Sequence, residues 1–233
     1  MTTYLLNILQ GLFVTIGVAL GALVVAAVLG LAGAAAKLSP YRWLNWVGDI
    51  YSTVIRGVPD LVWMLLLYFG GQILVNDIAE LLGYRSGPQI NPFVAGVLTI
   101  GFVYGAYMTE TFRGAIMSVP KGQSEAGWAF GMSRLYTFRR MVLPQMVRFA
   151  LPSFTNNWLV LLKATALVSV IGLADITNLA KQAGAAARGE IPGAAILFMA
   201  FAGVLYLLIS SISLLLLRKA EARYSVGVKR GDF

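Results

Sequence analysis

The 233-residue sequence contains no cysteine and no histidine, and only 12% of its residues are charged. The two absences exclude disulfides, thiolate or imidazole metal sites, cysteine or histidine nucleophiles, and proton relays through histidine. A phosphate-binding G-x-x-x-x-G-K-[ST] loop is also excluded, because no glycine is followed by lysine. We therefore expect this chain to hold no metal, no cofactor and no ATPase site of its own.

Hydrophobic residues make up 58% of the sequence. A soluble domain averages about 25% charged residues, so this chain is too poor in polar groups to cover itself, and lipid is its expected solvent. The net charge of +8 would suggest nucleic acid as a partner of a soluble chain. Here the basic residues flank hydrophobic runs, and no basic stripe is interleaved with exposed aromatics, so we expect no nucleic-acid partner.

Five segments are apolar and long enough to cross a bilayer as helices. The predicted spans are residues 12–36, 50–75, 92–116, 149–173 and 191–217. The second has a short uncharged core, because Arg56 and Asp60 lie near its start. Neither a linker nor an internal repeat is visible, so residues 1–233 are predicted to form a single all-α transmembrane domain. The N-terminus lacks the basic segment of a cleavable signal peptide.

The distribution of lysine and arginine predicts the orientation of the chain. With five spans and the N-terminus outside, the outer segments hold only Arg85, Lys181 and Arg188, and Lys163 lies within a span. All other Lys and Arg residues then fall in the inner segments or at the adjoining span ends, as the positive-inside rule requires. We therefore expect an outside N-terminus and a cytoplasmic C-terminus.

The longest segment predicted to be cytoplasmic comprises residues 118–148. Leu135, Phe138 and Met141 repeat there at three-residue spacing, so that they share one helix face. Pro120 suits a helix start, and Gly131 suits a helix-ending turn with positive φ. Ser133 is a possible N-cap of a second short helix, which Pro144 then interrupts. The pattern predicts two short helices, joined by a glycine turn, that form a docking surface for a partner.

This segment resembles the EAA loop of ABC importer permeases, in which E-A-A is followed after three residues by G, and after nine more by I-x-L-P. The matching residues are Glu125, Ala126, Gly131, Leu143 and Pro144, while Gly127 and Met141 replace the third and the isoleucine positions. We expect Gly127 to loosen the first short helix by up to about 1 kcal/mol. The resemblance implies that these residues form the loop that docks on an ATPase subunit and transmits its closure.

Further segments narrow the resemblance to the permeases of polar amino acids. They are R-G-V-P at residues 56–59, E-T-F-R-G at 110–114, and the segments 162–172 and 221–230. Within that family they are similar to permeases for basic amino acids (histidine, lysine, arginine and ornithine), with permeases for opines such as octopine or nopaline as the alternative.

The resemblance implies a type I ABC importer permease fold and a place in the bacterial inner membrane. It also implies a second, homologous permease that shares the translocation pathway, and two ATPase subunits that bind ATP and Mg. An extracytoplasmic substrate-binding protein completes the implied assembly, which would carry basic amino acids across the lipid bilayer.

Ionisable residues inside spans are functional candidates, because each is costly in lipid. Glu110 lies near Tyr107 and is predicted to receive a substrate ammonium or guanidinium group, or alternatively to form an interfacial ion pair with Arg113. Lys163 would repel a cationic substrate, so we predict a structural pairing with a carboxylate or a helix end. Asp175, just outside the fourth span, is predicted to be a solvated loop charge.

Other candidates for the pathway rest on the resemblance. Some relatives carry an aspartate at the position of Ala164, and its absence leaves Thr165 and Ser169 as polar candidates. Arg56 is predicted to anchor the inner end of the second span, and Pro59 is assigned a structural or interface role with it.

Three other classes of function are alternatives for a membrane protein of this composition. A proton-driven secondary transporter would use Glu110, but five spans without an inverted repeat are unusual for that class. As a membrane enzyme, this chain would have to function without histidine, cysteine or paired carboxylates. As a channel subunit, it would show no dependence on ATP.

Overall fold

The computed structural model describes residues 1–224, where every regular element is helical. In chain order the α-helices are α1 (Thr2–Lys37), α2 (Arg42–Gly57), α3 (Asp60–Leu65), α4 (Gly71–Leu81), α5 (Pro92–Met117), α6 (Lys121–Ala129), α7 (Arg134–Thr137), α8 (Leu143–Ala164), α9 (Ile176–Ala186) and α10 (Ala194–Tyr224). Wide π-helical turns at Leu66–Gly70 and Phe138–Val142 join α3 to α4 and α7 to α8, and a tight 3-10 segment, Thr165–Ile171, follows α8.

Within the described residues, five helical stretches are long and apolar enough to cross a membrane. They are Thr2–Lys37, Asp60–Leu81, Pro92–Met117, Arg134–Ile171 and Ala194–Tyr224. The predicted number and order of spans are therefore confirmed. The structure does not define which termini face the cytoplasm, so the predicted orientation stays a prediction.

The centre of the fold is the packing of α1 against α5. A side chain added at Gly101 would place its Cβ 2.5 Å from Val25 Cβ, and one at Gly105 would lie 2.8 Å from Leu29 Cβ. These glycines therefore allow two helix backbones to approach more closely than bulkier residues would permit, as small residues do where helices meet in membranes.

The second span, Asp60–Leu81, begins and ends later than the predicted range 50–75, and that range is not one helix. The helix is broken: α2 ends at Gly57, Val58 and Pro59 are extended, and α3 begins at Asp60. Proline has no N–H to donate and disfavours helical geometry in the residue before it, which explains the break. The Trp63 side chain spans the gap, donating from Nε1 to the Ile55 carbonyl at 3.1 Å.

The segment between the third and fourth spans was predicted in part correctly. Gly131 has a φ of +77° after α6, and the Ser133 hydroxyl accepts from the Tyr136 N–H. The second short helix, however, is not separate: it continues into the fourth span as one helix, Arg134–Ile171. Pro144 does not interrupt it, because it lies in the first turn of α8 directly after a wide turn that accommodates the missing N–H.

Gly127 has a role that its helix propensity did not reveal. It is buried where α6 meets the following helix, and an added Cβ would lie 2.7 Å from Thr137 Cγ2 and 3.0 Å from Met141 Sδ. The glycine therefore allows α6 to pack in contact with α7 and the turn after it. This role is separate from the low helix propensity of glycine in α6.

The prediction for Asp175 was wrong. Its side chain is 0% exposed, and it caps the N-terminus of α9 by accepting from the Thr177 and Asn178 N–H groups, both at 3.0 Å. Burial raises the pKa of this carboxyl above its ordinary value. The helix it caps packs against α1 and α10, which removes the carboxylate from solvent.

Candidate functional site

An open cleft of about 440 Å³ lies between the inner ends of the spans, on the side predicted to face the cytoplasm. It combines three residues singled out from the sequence, Arg56, Tyr107 and Glu110, with polar groups of the fourth span. Its lining is Arg56, Tyr107, Glu110, Thr111, Pro152, Ser153, Asn156 and Asn157. Asn157 Nδ2 donates to Thr111 Oγ1 at 2.9 Å and so ties the two walls together.

Arg56 lies at the C-terminal end of α2, where its guanidinium carbon is 5.2 Å from the centre of the Tyr107 ring. This is a cation–π contact. The residue predicted to anchor the second span at the interface therefore has an aromatic partner inside the cleft. The ring predicted to receive a substrate cation already faces a guanidinium.

Glu110 is paired with two cations of the same chain. Lys37 Nζ lies 2.5 Å from Glu110 Oε1, and Arg113 Nη1 lies 3.4 Å from Oε2. Lys37 also contacts Asp49 Oδ1 at 2.8 Å and Ser52 Oγ at 2.9 Å. The predicted Arg113 pair is present, but the shorter contact is with Lys37, which sequence reasoning did not connect with Glu110 because 73 positions separate them.

A second carboxylate, Asp60, lies in the first turn of α3, next to the break in the second span. The Tyr104 hydroxyl donates to Asp60 Oδ2 at 3.0 Å. The Tyr104 ring in turn stacks on Tyr107, with centroids 5.5 Å apart. The aromatic pair therefore connects Asp60 with the cleft that contains Arg56.

The remaining pathway candidates lie outside this cleft. Thr165 is buried and donates to the Leu162 carbonyl at 2.7 Å, while Ser169 Oγ accepts from Lys181 Nζ at 3.2 Å. Their part in substrate passage stays a prediction.

Lys163 has an exposed side chain, and no carboxylate among residues 1–224 lies within ion-pairing distance of it. The predicted carboxylate partner is therefore absent from the described part of the chain. Lys163 lies in the last turn of α8, where the helix dipole favours a cation, and its structural role at a helix end stays a prediction.

The segment predicted to couple to an ATPase presents an exposed surface. Glu125, Ala126 and Pro144 are exposed, Leu143 is half-buried, and the Phe130 side chain is 89% exposed. The residues 225–230 of the C-terminal segment used in the sequence comparison lie outside the described residues.

The described residues offer nothing that resembles a metal centre, since no group of three or more Asp or Glu side chains converges in residues 1–224. The cleft and ion pairs above are suited to binding and positioning charged groups.

Residues 26–226 match the family described as the binding-protein-dependent transport system inner membrane component. The chain belongs to this family. The predicted membership of the ABC importer permeases and the predicted place in the inner membrane are thereby confirmed.

Individual relatives cover nearly the full length. The chain is 49% identical over 225 residues to the histidine/lysine/arginine/ornithine transport system permease protein HisQ of Salmonella typhimurium, covering 97% of this chain and 96% of the relative. It is 39% identical to the octopine transport system permease protein OccQ of Rhizobium radiobacter, covering 97% and 93%.

Solved structures agree with the type I permease fold. A crystal structure of an amino acid ABC transporter with histidines superposes with a TM-score of 0.74 at 31% identity, covering 94% of this chain and 96% of the other. An inward-facing structure of the MetNI methionine ABC transporter has a TM-score of 0.61 at 15% identity, covering 96% and 95%, and supports the fold alone.

Proposed function

We propose that this chain is the transmembrane permease subunit of an ABC importer for basic amino acids, namely histidine, lysine, arginine and ornithine. The observation that carries the proposal is the 49% identity, over nearly the whole length, to a permease of that substrate class. The opine permeases are more distant at 39% identity, which makes opine transport the second candidate.

Energy is supplied from outside the chain, because the sequence has no phosphate loop. In this proposal two ATPase subunits bind ATP and Mg, a second permease completes the pathway, and an extracytoplasmic binding protein delivers the substrate. Opposing motions of the two permeases then alternate access between the two sides of the membrane.

The segment 118–148 is proposed as the surface that receives the ATPase. Exposed apolar side chains of the kind that dock on a partner include Phe130 and Leu135, at 89% and 68% exposure. Trp128 is held beside Arg134, whose guanidinium carbon is 5.9 Å from the indole ring. Because α7 continues without a break into the fourth span, a displacement of this segment would be transmitted along one helix into the membrane.

The proposal is tested by uptake into proteoliposomes that contain this chain with its partner permease, ATPases and binding protein. We expect ATP-dependent accumulation of labelled arginine, with competition by histidine, lysine and ornithine. Uptake of octopine in place of these would favour the opine alternative. Uptake that requires a proton gradient and proceeds without ATP would contradict an ABC importer.

A further inference from the structure

Two openings follow one another along the boundary between α8 and α10. The first, called the basic cleft, has a volume of about 250 Å³ and is lined by Arg148, Arg218 and Glu221 among others. The second, called the apolar groove, has a volume of about 470 Å³ and is bordered by α1 as well. Every side chain that lines the apolar groove is hydrophobic except that of Ser213.

The residue spacing on each helix shows that the two openings adjoin. On α8, one face carries Trp158 and Phe154 in the groove, followed by Leu151 and Arg148 in the cleft, at spacings of three or four positions. On α10, Leu217 lines the groove, and a residue one turn further along lines the cleft. The basic cleft is therefore the continuation of the apolar groove toward the end of α10.

The boundary between groove and cleft lies at the membrane surface. Residues 194–217 of α10 carry no charge and form about 36 Å of helix, slightly more than the bilayer core of about 30 Å. Arg218 is the first charged residue after them, so it lies at the level of the lipid headgroups. The groove is therefore at the depth of acyl chains, and the cleft is at the depth of phosphates.

The basic cleft has an excess of positive charge. Arg218 is exposed and takes part in no ion pair within 4.0 Å among the described residues. Arg148 is half-buried and donates from Nε to the Tyr224 carbonyl at 2.8 Å, which orients its guanidinium and uses one of its five N–H donors. Glu221, which also lines the cleft, accepts from Thr155 Oγ1 at 2.7 Å. Two arginines against one carboxylate leave a net positive charge.

Phosphate is an anion that suits such a pair of arginines, because guanidinium groups bind its oxygens through paired, charge-assisted hydrogen bonds. Basic pockets between membrane helices on the cytoplasmic side are suited to the headgroups of anionic lipids. The sequence of surfaces between α8 and α10, apolar within the bilayer and basic at its edge, matches the sequence of acyl chain and headgroup in a phospholipid. An anionic headgroup also balances the excess charge of the cleft.

We propose that the apolar groove and the basic cleft together bind one anionic phospholipid. Arg148 and Arg218 bind its phosphate, and one acyl chain lies in the groove against Phe154 and Trp158. The lipid fills the space between α8 and α10 and so stabilises the packing of these two spans. This inference depends on the place of the chain in the membrane and is independent of the substrate that is carried.

The test is thermal unfolding of the complex of this chain with its partner permease and ATPases, purified in detergent and stripped of lipid. A ligand that binds the folded state raises the melting temperature with increasing concentration, so a titration gives an apparent Kd. We expect phosphatidylglycerol to bind roughly tenfold more tightly than phosphatidylcholine with the same acyl chains, the effect of one charge-assisted contact. Inorganic phosphate, which has no acyl chain, should give no shift at the same concentrations.

The cleft is tested by Arg218→Gln, which should raise the apparent Kd for phosphatidylglycerol roughly tenfold, as the loss of a hydrogen bond to a charged group does. Lys219→Gln is the matched control, because it removes the same charge from the next residue, which is exposed and does not line the cleft. We expect Lys219→Gln to keep the wild-type Kd, and both variants to match the melting temperature of wild type without lipid.

The groove is tested by Ser213→Phe, which places a bulky side chain in it from α10. The matched control is Ser211→Phe, at an exposed position of the same helix that does not line the groove. Only the change at Ser213 should raise the apparent Kd for phosphatidylglycerol.

Equal apparent Kd values for Arg218→Gln and Lys219→Gln would overturn the proposal, as would equal binding of the two lipids by wild type. A shift with inorganic phosphate as large as that with phosphatidylglycerol would assign the cleft to a free anion and overturn the lipid site. If no lipid shifts the wild-type melting temperature, another subunit covers the groove, and the proposal is wrong. If Arg218→Gln does not assemble, the two serine variants decide, and equal Kd values for them overturn the site.

Discussion

At the residue scale, Lys37 is the side chain on which the C-terminal end of α1, the middle of α2 and the C-terminal part of α5 converge. Its ammonium contacts Glu110, Asp49 and Ser52, and its aliphatic stem runs past Gly48, where an added Cβ would lie 2.6 Å from Lys37 Cγ. Glycine at that position makes room for the stem. The arrangement joins three helices through one charge at the side predicted to be cytoplasmic.

Glu110→Gln is expected to weaken this junction. The substitution leaves Lys37, whose side chain is only 9% exposed, without its closest carboxylate. A hydrogen bond to a charged group contributes roughly 1.5–3 kcal/mol, so the variant should unfold at a lower temperature, by the equivalent of about 2 kcal/mol. Thermal unfolding of the purified complex in lipid is the measurement.

The matched control for this prediction is the double variant Lys37→Met, Glu110→Gln. If the two residues act as a pair, its stability loss should be smaller than the sum of the two single losses. Strictly additive losses would show that Glu110 stabilises the fold independently of Lys37.

Asp175 predicts a dependence on pH with a defined sign. Burial raises the pKa of its carboxyl, so the folded chain binds this proton more tightly than the unfolded chain does. The stability that protonation contributes is therefore present at low pH and is lost as the pH rises from the ordinary value of 3.8 through the raised pKa.

Asp175→Asn keeps one of the two N-cap acceptor oxygens and cannot ionise. We expect its melting temperature, relative to wild type at the same pH, to rise as the pH increases through that window. Asp175→Ala removes the cap and should cost about 1 kcal/mol at low pH. That cost should shrink as the pH rises, because alanine cannot ionise either. A melting temperature that falls relative to wild type as the pH rises would mean that the ionised carboxylate is favoured in the folded state, contrary to our account.

Sequence reasoning found Glu110, Tyr107 and Arg56 because charged and aromatic residues within apolar runs are conspicuous. It did not find the partners, since Lys37 and Glu110, or Asp60 and Tyr104, meet only through tertiary packing across 73 and 44 positions. The burial of Asp175 was missed for the same reason, because a loop aspartate looks identical in sequence whether a neighbouring helix covers it or not.

At the element scale, the apolar runs predicted all five spans, whereas their interruptions were harder to predict. The break at Val58–Pro59 follows from proline stereochemistry. Hydropathy alone nevertheless predicted one continuous helix across it. The opposite error occurred at Pro144, which was expected to end a helix. A wide turn immediately before it, Phe138–Val142, keeps the helix continuous. The residue pattern of this segment did not predict that turn.

The packing of α6 against α7 gives a prediction at this scale. Gly127→Ala would place a Cβ 2.7 Å from Thr137 Cγ2, so that α6 and α7 must move apart. Such overpacking costs about 1–3 kcal/mol, and alanine regains up to about 1 kcal/mol of helix propensity. We expect a more protease-sensitive segment and weaker co-purification with the ATPase.

The control is Gly122→Ala on the same helix, where an added Cβ meets nothing within 4 Å. It gains the same helix propensity without the clash, so its protease sensitivity and ATPase binding should equal or improve on those of wild type. Equal protease sensitivity and equal ATPase binding of the two variants would contradict a role for Gly127 in the packing of α6 against α7.

At the scale of the whole molecule, the fold could be predicted because the bilayer leaves few alternatives. Lipid requires every backbone group to be satisfied internally, so long apolar runs become helices. Large apolar side chains such as Phe13 and Ile196, both 79% exposed, point outward from the described chain, as a protein with lipid for its solvent allows. The polar cleft, by contrast, is assembled from α2, α5 and α8, and is visible only in three dimensions.

The measurement that tests the central claim most directly is ATP hydrolysis by the complex of this chain with its partner permease and ATPases, reconstituted in lipid. The account predicts that hydrolysis is stimulated when the binding protein is loaded with arginine, histidine, lysine or ornithine, and far less when it is empty. If no ATPase associates with the chain, or if loaded binding protein leaves hydrolysis unchanged, the assignment as a permease of an ATP-driven importer of basic amino acids is contradicted.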